Sequence, residues 1–173
     1  CTASATITVT VLPCNKADAG DDADLCSGER VRIGNVTADT THAASFSWLP
    51  REGLDDADAA APLAEPLATT SYVLTVRNSF GCETRDTVRV KVRPSPRVHV
   101  GEDVTICPGA STQLAAQASG GRGPYRYQWF PKNGLSRPTS ARTEARPIAT
   151  TLYTVAVTDA GGCTFQDSVF VNI

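Results

Sequence analysis

The 173-residue chain holds 16 basic and 18 acidic residues, and its net charge of −2 gives no indication of binding to nucleic acid or to an anionic membrane. Its 13 Gly and 11 Pro, with 6% aromatic residues, favour many short strands joined by turns. No apolar run approaches the ~20 residues of a membrane helix, so we expect no membrane insertion in this segment. The sequence contains no Met, and we expect it to be a window of a longer polypeptide.

An internal repeat organises the chain. Moving the sequence by 81 positions superposes Cys26 on Cys107 and Cys82 on Cys163, so the two members of each pair lie 56 positions apart. Over residues 20–92, 21 of 73 aligned positions are identical without a gap, which is more than chance gives. The shared positions in the first repeat include Gly20, Asp22, Gly28, Trp48, Pro50, Gly53, Leu54, Pro66, Tyr72, Gly81 and Asp86. We predict two complete domains, residues 14–94 and 95–173.

Residues 1–13 carry the end of the same pattern. Cys1 lies 81 positions before Cys82, and the alternating residues Ile7, Val9 and Val11 match the last strand of the repeat. We therefore predict that residues 1–13 are the last strand of a preceding repeat. The alternative is that this segment is donated to the sheet of another subunit.

Each repeat is predicted to be a β-sandwich. Val88, Val90 and Val92 alternate with polar residues in a period of two, which is typical of a strand with one buried face. The other predicted strands centre on Val31, Phe46–Trp48 and Tyr72–Val76, with counterparts in the second repeat. About seven short strands in ~80 residues predict an all-β fold of tandem immunoglobulin-like sandwiches.

Trp48 and its counterpart Trp129 lie in the middle of the predicted third strand. A Trp at this place favours the centre of the core over a ligand-stacking platform. Between the repeats, Arg93-Pro94-Ser95-Pro96 is a short and stiff connector, so we expect the domains to form an extended rod.

Six Cys in a strand-rich chain indicate an oxidising compartment. The repeated spacing predicts one disulfide in each domain, Cys26–Cys82 and Cys107–Cys163. Each bridge would tie the first strand to the turn before the last strand, at one end of the sandwich.

Cys1 and Cys14 fall outside this pattern. We expect Cys1 to pair with a residue upstream of the chain. Cys14 has no counterpart, because Ser95 occupies the equivalent position. About 13 residues of extended strand would hold Cys1 and Cys14 some 40 Å apart, so they should not pair with each other. Cys14 is a candidate for an inter-repeat or intermolecular bond, or else an idle linker thiol.

Acidic residues cluster at Asp21, Asp22 and Asp24, which makes them candidate calcium ligands, because hard cations bind several close carboxylates. The second repeat retains only part of this cluster, which favours a solvated acidic loop. No cysteine or histidine spacing typical of a metal site occurs, and we expect no other cofactor. No catalytic motif occurs either, so we expect that the protein is not an enzyme.

The shared residues form an ordered series: Gly-x-Asp-x-x-x-Cys-x-Gly, then Trp-x-Pro-x-x-Gly-Leu, then Pro-[Leu/Ile]-Ala-Thr-Thr-x-Tyr, then Gly-Cys-x-x-x-Asp-[Thr/Ser]-Val. This series resembles the PKD-like or immunoglobulin-like repeats of very large surface proteins of Bacteroidota. Those proteins include gliding-motility adhesins and other cargo of the type IX secretion system. The Trp-Asp-Phe-Gly-Asp-Gly signature of true PKD domains is missing, since Leu-Pro-Arg-Glu-Gly follows Trp48.

The resemblance implies export and display at the cell surface or in extracellular filaments. It also implies O-glycosylation at Asp-[Ser/Thr]-aliphatic sequences, which Asp86-Thr87-Val88 and Asp167-Ser168-Val169 match. Thr87 and Ser168 are predicted to face outward, although the same tripeptides are ordinary in strands.

We predict a structural and adhesive repeat region that acts as a stiff spacer in a secreted bacterial surface protein. Its partners would be neighbouring repeats of the same long chain, other copies in a filament, or surface glycans. The alternatives are a carbohydrate- or protein-binding accessory module and a self-assembling fibre subunit that donates a strand. A binding module should expose aromatic side chains on one face, and Tyr125, Tyr127 and Phe130 are the candidates.

Overall fold

The alternation of apolar and polar residues gives strands throughout the computed structural model, which describes residues 4–5, 14–35 and 43–173. All regular elements in these ranges are β-strands, so the all-β prediction is confirmed. The chain divides into two units, unit 1 (Cys1–Val92) and unit 2 (Arg93–Ile173). Within the described ranges, no helix has the length and apolar character that crossing a membrane requires.

Unit 1 contains strands β1–β6, of which β6 ends on Arg93, the first residue of unit 2. A four-stranded sheet has the order β1-β6-β5-β3, and a short pair joins β2 to β4. The bounds are β1 (Ala23–Cys26), β2 (Val31–Arg32), β3 (Ala43–Leu49), β4 (Leu63–Ala64), β5 (Thr70–Asn78) and β6 (Glu83–Arg93).

Unit 2 repeats this arrangement, and its short strand pairs are four residues long where that of unit 1 is two residues long. Its main sheet has the order β11-β13-β14-β8, and β10 pairs with β7 and β12 with β9. The bounds are β7 (Pro96–His99), β8 (Val104–Thr105), β9 (Thr112–Ala115), β10 (Gln117–Gly120), β11 (Arg126–Phe130), β12 (Arg142–Ala145), β13 (Thr151–Thr158) and β14 (Thr164–Asn172).

Each unit has its own core, built around one Trp and one Tyr. Trp48 and Trp129 are fully buried, as predicted, and each indole nitrogen donates a 2.9 Å hydrogen bond to a backbone oxygen, of Ala59 and Ser140 respectively. The two acceptor residues are themselves 81 positions apart. The repeat is therefore preserved at the level of single hydrogen bonds, and both indoles serve the core.

The Gly-Leu step of the repeat positions the buried Tyr. Tyr72 donates its hydroxyl to the Glu52 oxygen and Tyr153 donates to the Asn133 oxygen, each at 2.9 Å. The next residue, Gly53 or Gly134, has φ of 77°, a left-handed conformation that favours glycine. Burial raises the pKa of both Tyr hydroxyls.

One strand pair decides where the first cysteine of the second repeat lies. β8 runs parallel to β14, with Val104 opposite Val171 and Thr105 opposite Asn172. Ile106 continues this pairing by donating its N–H to the Asn172 oxygen at 2.9 Å. The segment after β8 therefore lies at the C-terminal end of β14, which is also the C-terminal end of the unit.

Candidate functional site

The disulfide framework differs from the prediction. Cys14 is bonded to Cys82, with 5.6 Å between their Cα atoms, so the predicted Cys26–Cys82 pair is wrong. The prediction of a linker or intermolecular role for Cys14 is also wrong. Hydrogen bonds of Thr84 explain the pairing, because its hydroxyl donates to the Asn15 oxygen at 2.6 Å and accepts from the Ala17 N–H at 3.0 Å. These bonds hold the first residues of the repeat beside the start of β6.

The predicted Cys107–Cys163 pair is also wrong, because Cys107 is a free and exposed thiol. Cys107 lies beyond the C-terminal end of β14, whereas Cys163 immediately precedes its first residue. The 9 residues of β14 at ~3.3 Å each separate these positions by roughly 30 Å. The prediction placed both cysteines at one end of the sandwich, and the parallel pairing of β8 and β14 places them at opposite ends.

Two further cysteines, Cys26 and Cys163, are also disulfide-bonded. Both are buried, with 8% and 1% of their surface exposed. Cys1 lies outside the described residues, and its upstream pairing stays a prediction. The disulfides fit the oxidising environment that the sequence indicates.

The three aspartates predicted as calcium ligands differ in their surroundings. Asp22 accepts the Arg89 N–H at 2.8 Å, which attaches it to β6, and Asp103 does the same for Phe170 at 2.9 Å in unit 2. Asp24 forms a 3.7 Å ion pair with Lys91. Asp21 is exposed. No group of three or more ligating side chains is found in residues 4–5, 14–35 and 43–173. The repeated member of the cluster, Asp22, thus binds the backbone.

A second pair of aspartates fixes the segment that begins each unit. Asp86 accepts the Ala19 N–H at 2.8 Å, and Asp167 accepts the Val100 N–H at 3.0 Å. The following residues, Thr87 and Ser168, are exposed as expected. The Asp-[Thr/Ser]-Val sequence therefore has a structural role in both units, and the O-glycosylation at these residues stays a prediction.

The turn before each Gly-Cys step is shaped by an Asn or Asp side chain that was not among the predicted site residues. In unit 1 the Asn78 side-chain oxygen accepts the N–H groups of Phe80 and Cys82, at 3.1 and 2.9 Å. In unit 2, Asp159 accepts those of Gly161 and Cys163, at 2.8 and 2.9 Å. Asn or Asp four residues before the Cys of a Gly-Cys step is a turn signal that the sequence contains.

Asp159 carries a charge that Asn78 lacks. The Arg122 N–H, at 2.8 Å from Oδ2, contributes most to lowering the pKa of this carboxyl. The N–H groups of Cys163 and Gly161 and the positive charge of Arg93 lower the pKa further, while burial opposes them. Arg93 also donates a hydrogen bond to the Gly161 oxygen. The first residue of unit 2 is thereby attached to the turn before β14.

The outer face of the main sheet in unit 2 is apolar at its centre. Leu152 lies opposite Phe170 on adjacent strands, and Phe130 lies opposite Thr154. These three apolar side chains are 41–49% exposed. The equivalent residues of unit 1 are Leu49, Ser71 and Arg89. The two faces thus differ in chemistry although the sheets beneath them match.

The aromatic side chains proposed for binding divide between this face and the core. Tyr125 and Tyr127 are partly buried and pack against the core of unit 2, and the Tyr125 hydroxyl donates to the Gly120 oxygen at 2.6 Å. Phe130 is exposed on the outer face. Both tyrosines line an open groove of about 450 Å³ with Arg126 and Gln128. They do not form an aromatic surface with Phe130.

No protein-family model and no curated protein sequence matches the chain. Solved structures do match, including the eight N-terminal immunoglobulin domains of Down Syndrome Cell Adhesion Molecule, at 16% identity and a TM-score of 0.52. That match covers 91% of this chain and 27% of the other. Extracellular domains 3–5 of Drosophila OTK match at 13% identity and a TM-score of 0.45, covering 91% of this chain and 59% of that one.

The PKD domain of the KIAA 1837 protein matches at 20% identity and a TM-score of 0.40, covering 50% of this chain and 93% of its own. This chain spans about a quarter of the matched cell adhesion structure and three fifths of the matched OTK structure. At such identities the likeness shows the fold alone. The fold is an immunoglobulin-like β-sandwich, and the chain repeats it in tandem.

Proposed function

We propose that this chain is a structural and adhesive segment of an extracellular protein, with its two sandwiches acting as spacer units. The observation that most directly supports this proposal is the kind of residue that the two repeats share. Trp48, Tyr72, Gly53, Asp22 and Asp86 are each buried, confined to a glycine conformation, or bonded to backbone. The outer sheet faces, where a common ligand would bind, have diverged. What the repeats preserve is the fold itself, which suits a spacer and gives no support to a catalytic role.

The covalent closure of unit 1 supports a mechanical role. The Cys14–Cys82 bond joins residues 68 positions apart, so nearly all of the unit lies inside the loop. Disulfides persist in oxidising surroundings, which supports an extracellular setting. Cell adhesion is what the name of one fold relative describes, and that relative is also built from tandem immunoglobulin domains.

For the cellular setting, the ordered motif series leads us to propose a surface protein of Bacteroidota exported by the type IX system. In such a protein the repeats would hold a distant adhesive tip away from the cell. Antibodies against the chain should label intact cells of the source organism. Labelling that appears only after lysis would contradict surface display.

Single-molecule extension of the whole chain tests the spacer role. In Cys26→Ser/Cys163→Ser, which lacks the other described disulfide-bonded cysteines, we expect discrete unfolding events, with unit 1 releasing little length until a reductant opens the Cys14–Cys82 loop of 68 residues. At about 3.5 Å per residue, reduction of this variant should add roughly 240 Å. Adding Cys14→Ser to the same background is the matched control, because it should release this length without reductant. Smooth extension without unfolding events would overturn the proposed function.

The exposed hydroxyls of Thr87 and Ser168 remain proposed sites of O-glycosylation. Intact-mass analysis of the chain purified from its source should show glycan mass that Thr87→Ala and Ser168→Ala remove. An unmodified mass would contradict this part of the proposal.

A further inference from the structure

Cys26 and Cys107 occupy equivalent positions of the repeat but differ in chemical state. Cys26 is disulfide-bonded and 8% exposed, whereas Cys107 is a free and exposed thiol. Nothing in their sequence positions distinguishes them, since they are 81 residues apart, like the other repeated positions.

The local backbone does not explain the difference. Each cysteine begins a turn that closes with a 3.0 Å hydrogen bond, from the Glu29 N–H to the Cys26 oxygen and from the Ala110 N–H to the Cys107 oxygen. The third residue of each turn is a glycine with positive φ, 89° in unit 1 and 80° in unit 2. The two turns therefore place their thiols alike on the backbone.

The second cysteine of the same repeat does not provide the partner at this position. Cys82 is bonded to Cys14, so the bond of Cys26 is to another cysteine. Cys107 is separated from Cys163 by the length of β14, far beyond the 4.4–6.8 Å between Cα atoms that a disulfide requires. A cysteine at this position of the repeat can therefore form a disulfide only with a cysteine other than the Gly-Cys residue of its own repeat.

The two ends of unit 2 carry different cysteines. Cys107 lies at the C-terminal end, one residue after Ile106 bonds to the Asn172 oxygen. The Gly-Cys turn lies at the N-terminal end, where Arg93 donates to the Gly161 oxygen. In a chain of such units, the C-terminal end of one is joined covalently to the N-terminal end of the next. A cysteine of the Cys107 kind and a cysteine of the Gly-Cys kind therefore belong to the two ends that the chain connects.

We propose that Cys107 forms a disulfide with the Gly-Cys thiol of another repeat of this kind, seated against the C-terminal end of unit 2. Each thiol loses a proton, and the two electrons pass to a disulfide oxidant such as oxidised glutathione, which is reduced to two thiols while the new S–S bond forms. The partner repeat is supplied either by the same polypeptide beyond residue 173 or by a separate chain. This inference rests on the tandem, extracellular setting of the proposed function.

The first arm of the test supplies the partner on a separate chain. Cys14→Ser frees the Cys82 thiol at the N-terminal end of unit 1 while Cys107 stays at the C-terminal end of unit 2. In a glutathione redox buffer we expect disulfide-linked oligomers on non-reducing electrophoresis, with Cys82–Cys107 peptides after digestion. Cys14→Ser/Cys107→Ser should stay monomeric.

The second arm supplies the partner on the same chain and does not depend on the Cys14→Ser variant folding. The full chain is extended at residue 173 by a second copy of residues 93–173 in which the equivalent of Cys107 is replaced by Ser. Cys107 should then resist maleimide until reductant is added, and digestion should join it to the Gly-Cys thiol of the added copy. In Cys107→Ser/Ser111→Cys, which moves the exposed thiol four residues, the new thiol should stay reactive. A bond in either arm supports the inference and identifies the source.

Three results would overturn the inference: a Cys107 that stays reactive in both arms, a Cys107 that carries only glutathione, or Cys107 bonded to Cys107. These results leave the spacer role intact if the extension experiment still shows discrete unfolding events. Smooth extension combined with a Cys107 bond would instead reject the spacer role alone.

Discussion

Units 1 and 2 share an interior and differ at their surfaces. The hydrogen bonds of Trp48, Tyr72, Asp22 and Asp86 recur in unit 2 at residues 81 positions later, within 0.2 Å of the same length. The outer face of the main sheet instead changes from charged in unit 1, where Arg89 is exposed, to apolar in unit 2.

The difference separates two kinds of constraint. A residue that satisfies a buried backbone group or fills the core has few substitutes, because an unsatisfied polar group or a cavity costs about 1–5 kcal/mol. A side chain on the outer face has no such partner, so its chemistry is free to serve each unit's own surroundings. One cysteine position also differs between the units, since unit 2 has Ser95 where unit 1 has Cys14.

Removing the core indole should have the largest effect and should be equal in the two units. Trp48→Ala and Trp129→Ala should each lower the free energy of unfolding of their own unit by about 3–5 kcal/mol, through the cavity and the lost hydrogen bond. Hydrogen exchange resolved by peptide measures this for each unit. Phe130→Ala, next to Trp129 but exposed, is the control and should cost under about 1 kcal/mol. Clearly unequal losses in the free energy of unfolding would contradict the equivalence of the two cores.

Opening the disulfide should affect unit 1 alone. Cys14→Ser gives unit 1 the residue that unit 2 has, and the freed loop of 68 residues should lower the free energy of unfolding by about 4 kcal/mol. Denaturant unfolding followed through Trp48 fluorescence in a Trp129→Phe background measures the loss. Cys14→Ser/Cys82→Ser should unfold at the same denaturant concentration. An unchanged midpoint would show that the bond does not stabilise unit 1.

Adding a methyl group at the turn glycine should have a smaller effect that is again shared. A Cβ on Gly53 would lie 3.0 Å from the Tyr72 hydroxyl oxygen, and one on Gly134 would lie 2.9 Å from that of Tyr153. With the left-handed backbone, Gly53→Ala and Gly134→Ala should each cost about 2–3 kcal/mol. Gly109→Ala, where φ is 80° but a Cβ meets nothing within 4 Å, should cost only about 1–2 kcal/mol. Thermal unfolding of the three variants separates crowding from backbone strain.

Lowering the pH should affect the stability of the two units differently, and this is the smallest of the expected effects. The folded pKa of Asp159 is below the ordinary carboxyl value of 3.8, so its stabilising effect is complete above that value and is lost as the pH falls through the folded pKa. Unit 2 should therefore lose stability from about pH 4 downward through this residue. Asp159→Asn, which copies Asn78, should flatten the pH dependence of unit 2 and leave that of unit 1 unchanged. A parallel acid loss in variant and wild type would show that Asp159 does not contribute.

Periodicity in the sequence predicted the strands because a sheet with one buried face imposes alternation locally. Val88 and Val90 were predicted to face inward and are fully buried, and both Trp residues lie in the cores as expected. The equivalent positions of the repeat could also be assigned before the structure, because a shared fold requires the same residues at the same separation.

The cysteine pairs could not be predicted this way. Spacing states how far apart two residues are along the chain, not the direction in which a strand runs. Two strands placed antiparallel would have brought Cys107 near Cys163, whereas the parallel pairing of β8 with β14 takes it to the other end. The Asp22 and Asp86 contacts were hidden for a similar reason, since each joins residues 67 positions apart.

The sequence by itself determined the all-β class, the 81-residue repeat and the two Trp-centred cores, because these follow from local alternation and from the recurrence of the same residues. Only the tertiary structure decided that Cys14 bonds Cys82, that Cys107 is free, and that the repeated aspartates bind backbone N–H groups. Those outcomes depend on the order and direction of strands in a sheet, which long-range packing sets and no local pattern records.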